Sequence, residues 1–99
     1  MIRATLRMRV RPGLEQDFEQ LWEKIALEVR HAPGNLRQDL LRGGEREFVI
    51  TTDWATREAF HAFERSSEQD ALTAPLRELR ESASMEIADL LIHVAGHER

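Results

Sequence analysis

Apolar and polar residues alternate in two long stretches of the chain, and this period of two is typical of β-strands with one buried face. The first stretch covers residues 2–10, whose apolar positions are Ile2, Ala4, Leu6, Met8 and Val10. The second covers residues 46–54 and is rich in β-branched and aromatic residues, as strands are. Residues 35–42 alternate less regularly and are followed by Gly43-Gly44, which predicts a hairpin into the strand at 46–54.

Apolar residues recur at helical spacing between these strands. The first predicted helix follows Pro12 and Gly13, with Gly13 as its expected N-cap, and ends before His31-Ala32-Pro33-Gly34. Its buried face comprises Leu14, Phe18, Leu21, Trp22, Ile25 and Val29, where Trp22 is expected to be a core residue. A second helix is predicted from Thr56, its N-cap, to about Arg65. A further helical piece is expected to start near Ser67 or Pro75.

The end of the chain predicts a last strand over residues 85–94, followed by a tail at 95–99. Leu90, Leu91 and Ile92 are consecutive, so both faces of this strand are apolar and we expect both to be covered. The element order is β-α-β-β-α-β. It predicts an α+β, ferredoxin-like fold over residues 1–99, with an antiparallel four-stranded sheet and its helices on one face.

The uncovered sheet face of so small a domain predicts a homodimer. Arg3, Arg7 and Arg9 point to that face. If that side meets the partner subunit, we expect them to pair with its carboxylates, for which the candidates are Asp39, Asp53 and Glu86. The alternatives are a solvated face or an anion site.

Composition narrows the function classes. The 99 residues carry 14 Lys+Arg and 18 Asp+Glu without a long basic run, which argues against nucleic acid as a partner. The absence of cysteine excludes disulfides, thiolate metal sites and a Cys nucleophile. His93 and His97 have no accompanying carboxylate motif, so we expect no metal site. Without a signal peptide or an apolar run long enough to span a bilayer, the expectation is a cytoplasmic protein that does not bind membranes.

The sequence resembles the antibiotic biosynthesis monooxygenase family over residues 2–94. The resemblance rests on RVRPGLEQDFEQLWEKI (9–25), the stop at 31–34, and FVITTDWATREAF (48–60), where a strand ends in tryptophan before a helix. It implies a dimeric α+β barrel in which each subunit has a pocket between sheet and helices. Similar proteins oxidise aromatic polyketides such as anthrones and phenols with O2, using no metal, flavin or haem.

Two positions depart from the family pattern. A histidine expected in the second helix is replaced by Phe63, with His61 two residues earlier. Haem-degrading relatives use an asparagine in the first strand, where this chain has Ala4, Thr5 and Leu6. These departures argue against haem degradation.

The resemblance implies that Trp54 is the pocket tryptophan and that its indole N–H holds a substrate oxygen; the alternative is a core residue. His61 is the candidate base, because an imidazole titrates near neutrality, and the alternative is an exposed helix residue. The predicted substrate-binding walls are Leu6, Met8, Phe48, Ile50, Phe60 and Phe63.

The leading prediction is a cofactor-independent monooxygenase that oxidises a small aromatic, polyketide-type substrate with O2. Two alternatives remain open: a polyketide cyclase of the same dimeric fold, or a non-catalytic ligand-binding or regulatory domain.

Overall fold

The computed structural model describes residues 1–97 and has the predicted ferredoxin-like arrangement. Its antiparallel sheet has the strand order β2-β3-β1-β4. The elements in chain order are β1 (Ile2–Val10), α1 (Glu15–Val29), β2 (Asn35–Arg42), β3 (Glu47–Trp54), α2 (Arg57–Glu64), α3 (Ser67–Glu78) and β4 (Arg80–Asp89).

The two central strands, β1 and β3, place their apolar positions on the same face of the sheet. Ile2 lies opposite Trp54, and Leu6 lies opposite Ile50, so alternate residues of both strands point toward the helices. The hydrophobic core lies between this face and the helices. Its buried members are Ile2, Ala4, Met8, Val10, Phe18, Ile25, Val29, Phe48, Ile50, Trp54, Phe60 and Leu76.

Side-chain caps fix the starts of the two shorter helices. The hydroxyl of Thr56 accepts a hydrogen bond from the Ala59 N–H at 3.0 Å, which confirms the predicted N-cap. Ser66 caps α3 in the same way, accepting from the Gln69 N–H at 3.0 Å. Of the two predicted starts of this helix, Ser67 is therefore confirmed. Pro75 lies inside α3 rather than at its beginning.

The start of α1 differs from the prediction. Its N-cap is Leu14 and has no side-chain cap, whereas Gly13 stands in the preceding turn with φ +84°. Glycine adopts this left-handed conformation without the steric cost of a Cβ atom. The Gly13 N–H instead donates to a carboxylate oxygen of Glu15 at 3.2 Å.

The last strand ends at Asp89, so the predicted end at residue 94 was wrong. Asp89 pairs with Ile2 at the start of β1, and the Leu90 N–H donates to the Met1 carbonyl at 2.9 Å. No residues of β1 remain to pair with anything beyond this point. Leu91, Ile92 and Val94 are consequently more than 80% exposed rather than covered on both sides. The predicted tail lies partly outside the described residues; residues 95–97 form no regular element.

Ion pairs cover the sheet face that carries no helices. Arg3 binds Asp53 at 2.7 Å, and Arg9 binds Glu47 at 2.6 Å. A longer contact of 3.6 Å joins Arg7 to Glu86, and Arg37 binds Asp39 at 2.8 Å. Two of the counter-ions predicted on a partner subunit thus lie in the same chain on neighbouring strands, Asp53 opposite Arg3 and Glu86 diagonal to Arg7. The third, Asp39, pairs with Arg37 two residues earlier on β2.

No helix in residues 1–97 has the length and apolar character needed to cross a membrane.

Candidate active site

A cavity of about 240 Å³ lies between the helix-covered sheet face and the helices. All four strands contribute to its floor, and all three helices contribute to its walls. Its apolar lining residues are Ala4, Leu6, Trp22, Ile25, Val29, Ile50, Phe60, Phe63, Leu76 and Met85. A mostly apolar wall with a few polar groups is typical of small-molecule sites.

Four of the six predicted wall residues line this cavity. They are Leu6, Ile50, Phe60 and Phe63. The other two, Met8 and Phe48, are buried outside the lining, and the Phe48 ring packs against Phe18 with centroids 5.0 Å apart. Met8 and Phe48 occupy the end of the sheet nearer the β2–β3 hairpin, where α1 fills the space above them. Trp22, expected to be a core residue, is only partly buried and contributes to the lining.

Trp54 lies behind the cavity wall rather than at its mouth. It is fully buried, and its indole N–H donates to the Thr52 hydroxyl oxygen at 2.9 Å. Its ring packs against Phe60 and Phe63, with centroids 5.8 and 5.0 Å away. The indole therefore supports two aromatic wall residues and one polar one. Its direct contact with substrate stays a prediction.

His61 lies on the outer side of the same wall. Its ring neighbours that of Phe60 at 5.5 Å, and its Nδ1 is 3.4 Å from a carboxylate oxygen of Glu64. Glu64 belongs to the cavity lining, whereas His61 does not. The role of His61 as a base stays a prediction, and its contact with the cavity lining is through Glu64.

Arg80 is the lining residue that sequence reasoning missed. It is partly buried at the start of β4, and its guanidinium makes no hydrogen bond or ion pair within residues 1–97. Burial lowers the pKa of Arg80, and the neighbouring charge of Arg77 lowers it further. Arg77 itself is paired with Asp70 at 3.2 Å. A guanidinium remains charged at neutral pH, so Arg80 is a cation at the cavity with no counter-ion among residues 1–97.

In the sequence, Arg80 is one arginine among many between a helix and a strand. Only the tertiary structure shows that it is partly buried and unpaired. The remaining polar residues of the lining are Gln38, Thr52, Glu64, Gln69, Thr73 and Arg77. Across residues 1–97, no three or more metal-binding side chains converge on a point.

The sequence profile of the family described as antibiotic biosynthesis monooxygenase matches residues 1–75. The chain belongs to this family. The matched range contains the segments 9–25, 31–34 and 48–60, so the family predicted from them is confirmed. Among curated proteins, none matches the chain by sequence.

Solved structures support the same fold. The chain is similar to SnoaB, a cofactor-independent oxygenase from Streptomyces nogalater, with a TM-score of 0.84 and 20% identity over 96% of this chain and 97% of that one. A candidate antibiotic biosynthesis monooxygenase from Deinococcus radiodurans gives a TM-score of 0.82 and 19% identity over 97% of this chain and 100% of that one. A conserved protein from Methanosarcina mazei gives a TM-score of 0.80 and 17% identity over 88% of this chain and 89% of that one. At such identities the likeness shows the fold alone.

Proposed function

We propose that this protein is a cofactor-independent monooxygenase that oxidises a small aromatic substrate of polyketide type with O2. The observation that carries the proposal is a mostly apolar cavity whose lining includes Arg80, a guanidinium with no ion pair in the described part of the chain. Family membership and the fold shared with the SnoaB oxygenase agree with it.

The reaction needs a substrate that gives up a proton to become an electron-rich anion. For an anthrone, the CH2 carbon loses a proton, and the carbanion passes one electron to O2. The two radicals combine to a peroxide, and cleavage of its O–O bond with loss of water leaves a quinone carbonyl. The balance is one anthrone and one O2 to one quinone and one water.

Arg80 suits the first step of this reaction. A positive charge close to the developing anion stabilises it most where water is excluded and the local dielectric is low. Ile50, Phe60 and Leu76 provide such apolar surroundings. The cavity volume of about 240 Å³ lies below the range of roughly 300–1,000 Å³ that is common for drug-sized ligands, which favours a compact ring system.

The proton acceptor that we propose is the pair of His61 and Glu64. Glu64 lines the cavity, and His61 contacts its carboxylate from outside at 3.4 Å. A proton taken up by Glu64 can pass to the imidazole and on to solvent. Trp54 holds Phe60, Phe63 and Thr52 in place, and its predicted contact with substrate would require Thr52 to release the indole N–H.

We also propose that the protein acts as a homodimer in which two copies pack through the helix-free sheet face. Each arginine in these ion pairs is matched by a carboxylate. Two copies related by a two-fold axis can therefore face each other without repulsion between like charges. Leu41, Leu91, Ile92 and Val94 are exposed large apolar residues that association would cover. Sedimentation equilibrium at micromolar concentration should give a dimer, and a Thr51→Lys variant should give a monomer. A monomeric parent protein would contradict this arrangement.

Oxygen uptake tests the proposed reaction. Chelator-treated protein should consume O2 with an anthrone and form one quinone per O2, and Arg80→Gln should lower the rate at least tenfold. Arg30→Gln, exposed at the C-terminal end of α1 and outside both the cavity lining and the helix-free sheet face, is the control and should leave the rate unchanged. Absence of O2 uptake with anthrones and naphthols would overturn the proposal. Anaerobic cyclisation of a poly-β-ketone would instead indicate the cyclase.

A further inference from the structure

Two polar side chains lie next to each other in the floor of the cavity. Thr52 of β3 and Gln38 of β2 are paired across the strands, and both contribute to the lining. Directly paired residues of an antiparallel sheet have Cβ atoms roughly 5 Å apart on the same face. A single small ligand on the cavity floor can therefore contact both side chains.

The Thr52 hydroxyl is held as a hydrogen-bond donor toward the cavity. Its oxygen accepts the Trp54 indole N–H at 2.9 Å, and an indole N–H can only donate. The hydroxyl proton must then turn away from the indole. It meets no protein acceptor among residues 1–97, whereas Thr73, also in the lining, donates to the Gln69 carbonyl at 2.9 Å. Thr52 thus has an unused donor.

The Gln38 side chain offers the opposite polarity. Its Nε2 donates to the Ala26 carbonyl at 3.0 Å and lies 3.4 Å from the Asn35 side-chain oxygen. A backbone carbonyl only accepts, so this contact fixes which end of the amide is nitrogen. The Gln38 carbonyl oxygen receives no hydrogen bond within the described chain and remains free to accept one.

We propose that Thr52 and Gln38 form a donor–acceptor pair that selects ligands carrying both a carbonyl and a hydroxyl group, with Trp54 as the positioning residue for Thr52. Thr52 donates to the ligand carbonyl, and Gln38 accepts from its hydroxyl. The ligand class is a hydroxylated aromatic ketone. This inference depends on the proposed function only in placing the ligand in the same cavity; it concerns binding and requires no turnover.

Anaerobic calorimetric titration with three two-ring ketones tests the pair. The probes are 1-tetralone, 6-hydroxy-1-tetralone and 6-methoxy-1-tetralone. The parent protein should bind the hydroxy ketone about three- to tenfold more tightly than the methoxy ketone, as expected for one additional neutral hydrogen bond. Gln38→Met should abolish this preference. Comparing two ligands in one variant cancels any loss of folded protein.

Variants of Thr52 distinguish the effect of its hydroxyl donor on binding from the effect of its side-chain shape. Thr52→Val keeps the branched shape and should weaken binding of all three ketones about three- to tenfold, whereas Thr52→Ser should bind as the parent does. Trp54→Phe removes the N–H that orients Thr52 and should weaken ketone binding about two- to threefold. Unchanged ketone affinity in Thr52→Val, or no preference for the hydroxy ketone in the parent, would overturn the pair. Unchanged affinity in Trp54→Phe would overturn the positioning role.

The two proposals fail in different ways. Selective binding of the hydroxy ketone without O2 uptake from any anthrone contradicts the monooxygenase and supports the donor–acceptor pair. Oxygen uptake that Thr52→Val leaves unchanged, together with unselective binding, supports the enzyme and contradicts the pair.

Discussion

The guanidinium of Arg3 donates hydrogen bonds to both carboxylate oxygens of Asp53, at 2.7 and 3.0 Å, on the sheet face that carries no helix. The next residue, Trp54, points to the opposite face and supports the cavity wall. Strand alternation therefore makes one dipeptide serve both faces of the sheet. The position of Trp54 depends on the register that Arg3 and Asp53 help to fix between β1 and β3.

Replacing Asp53 by Asn should destabilise the protein in a pH-dependent way. Asp53 is 5% exposed, and its hydrogen bonds from Arg3 lower the pKa of its carboxyl group. Asp53→Asn should reduce the free energy of unfolding at pH 7 by about 1.5–3 kcal/mol, toward the lower value because the Arg3 side chain is 34% exposed and partly screened.

The sign of the pH effect follows from linkage. Because the folded protein holds the Asp53 proton less tightly than the unfolded chain, this contribution is complete above the unfolded pKa of about 4 and is lost as pH falls through the lower folded pKa. Urea unfolding between pH 2 and 7 should show the two proteins converging in acid. Glu86→Gln, in an exposed pair at 3.6 Å, is the control and should change stability by less than about 0.5 kcal/mol. Equal losses of unfolding free energy in Asp53→Asn and Glu86→Gln would show that the Arg3–Asp53 pair contributes no more than an exposed ion pair.

Gly34 and Gly13 form a matched pair that separates steric clash from backbone strain. Both have positive φ, +85° and +84°. A Cβ at Gly34 would lie 2.6 Å from the Cβ of Ala59 in α2, whereas a Cβ at Gly13 meets nothing within 4 Å. Gly13→Ala should therefore cost about 1 kcal/mol, from the left-handed conformation alone.

Gly34→Ala should cost about 2–4 kcal/mol, since overpacking adds to the strain. Because α2 carries Phe60 and Phe63, its displacement should also weaken ligand binding, which Gly13→Ala should not. Thermal unfolding and calorimetric titration measure the two effects. Similar stabilities in the two variants would mean that α2 can shift to accommodate the added methyl group without loss of stability.

The strands and the α1 face followed from the sequence because each depends on local periodicity. Residues 2–10 and 46–54 alternate, and the structure places their apolar sides together on the helix-covered face. Beyond the Leu90 hydrogen bond to Met1, the run at Leu91 and Ile92 has the composition of a strand but pairs with no strand within residues 1–97, since β1 begins at Ile2. Strand pairing depends on the tertiary structure, so the apolar pattern of the sequence alone does not show where the last strand ends.

The site was harder to predict for a similar reason. The apolar wall residues can be predicted from the faces of the strands and helices. The role of a polar side chain depends instead on which hydrogen bonds and ion pairs it makes within the folded protein. The sequence suggests that the indole N–H of Trp54 is free to bind substrate. In the structure it donates to the hydroxyl oxygen of Thr52, two residues earlier on the same face. Nothing in the sequence distinguishes Arg80 from the other arginines, but in the structure it is partly buried and has no ion pair within the described residues.

Ligand binding should change the fluorescence of Trp22 and leave that of Trp54 largely unaffected. Trp22 lines the cavity and is partly exposed, whereas Trp54 is fully buried behind the wall. A quenching ketone should act on Trp54→Phe, in which Trp22 is the remaining indole, and have little effect on Trp22→Phe. Quenching confined to Trp22→Phe would show that the ligand contacts Trp54 directly, as the family resemblance implied.

Arg80 should lower the pKa of a phenol bound in the cavity. A cation that has no ion pair within residues 1–97 favours the anionic form of a neighbouring acid, and the apolar part of the lining strengthens the attraction by lowering the local dielectric. Spectrophotometric titration of bound 2-naphthol should give a pKa at least about one unit lower in the parent than in Arg80→Gln, equivalent to about 1.4 kcal/mol. Arg80→Lys should retain part of the shift because it retains the charge. Arg30→Gln, exposed at the C-terminal end of α1 and outside the cavity lining, should match the parent. If Arg80→Gln leaves the pKa of the bound naphthol unchanged, the cation does not act on the ligand, and the anion-stabilising step of the proposed reaction loses its residue.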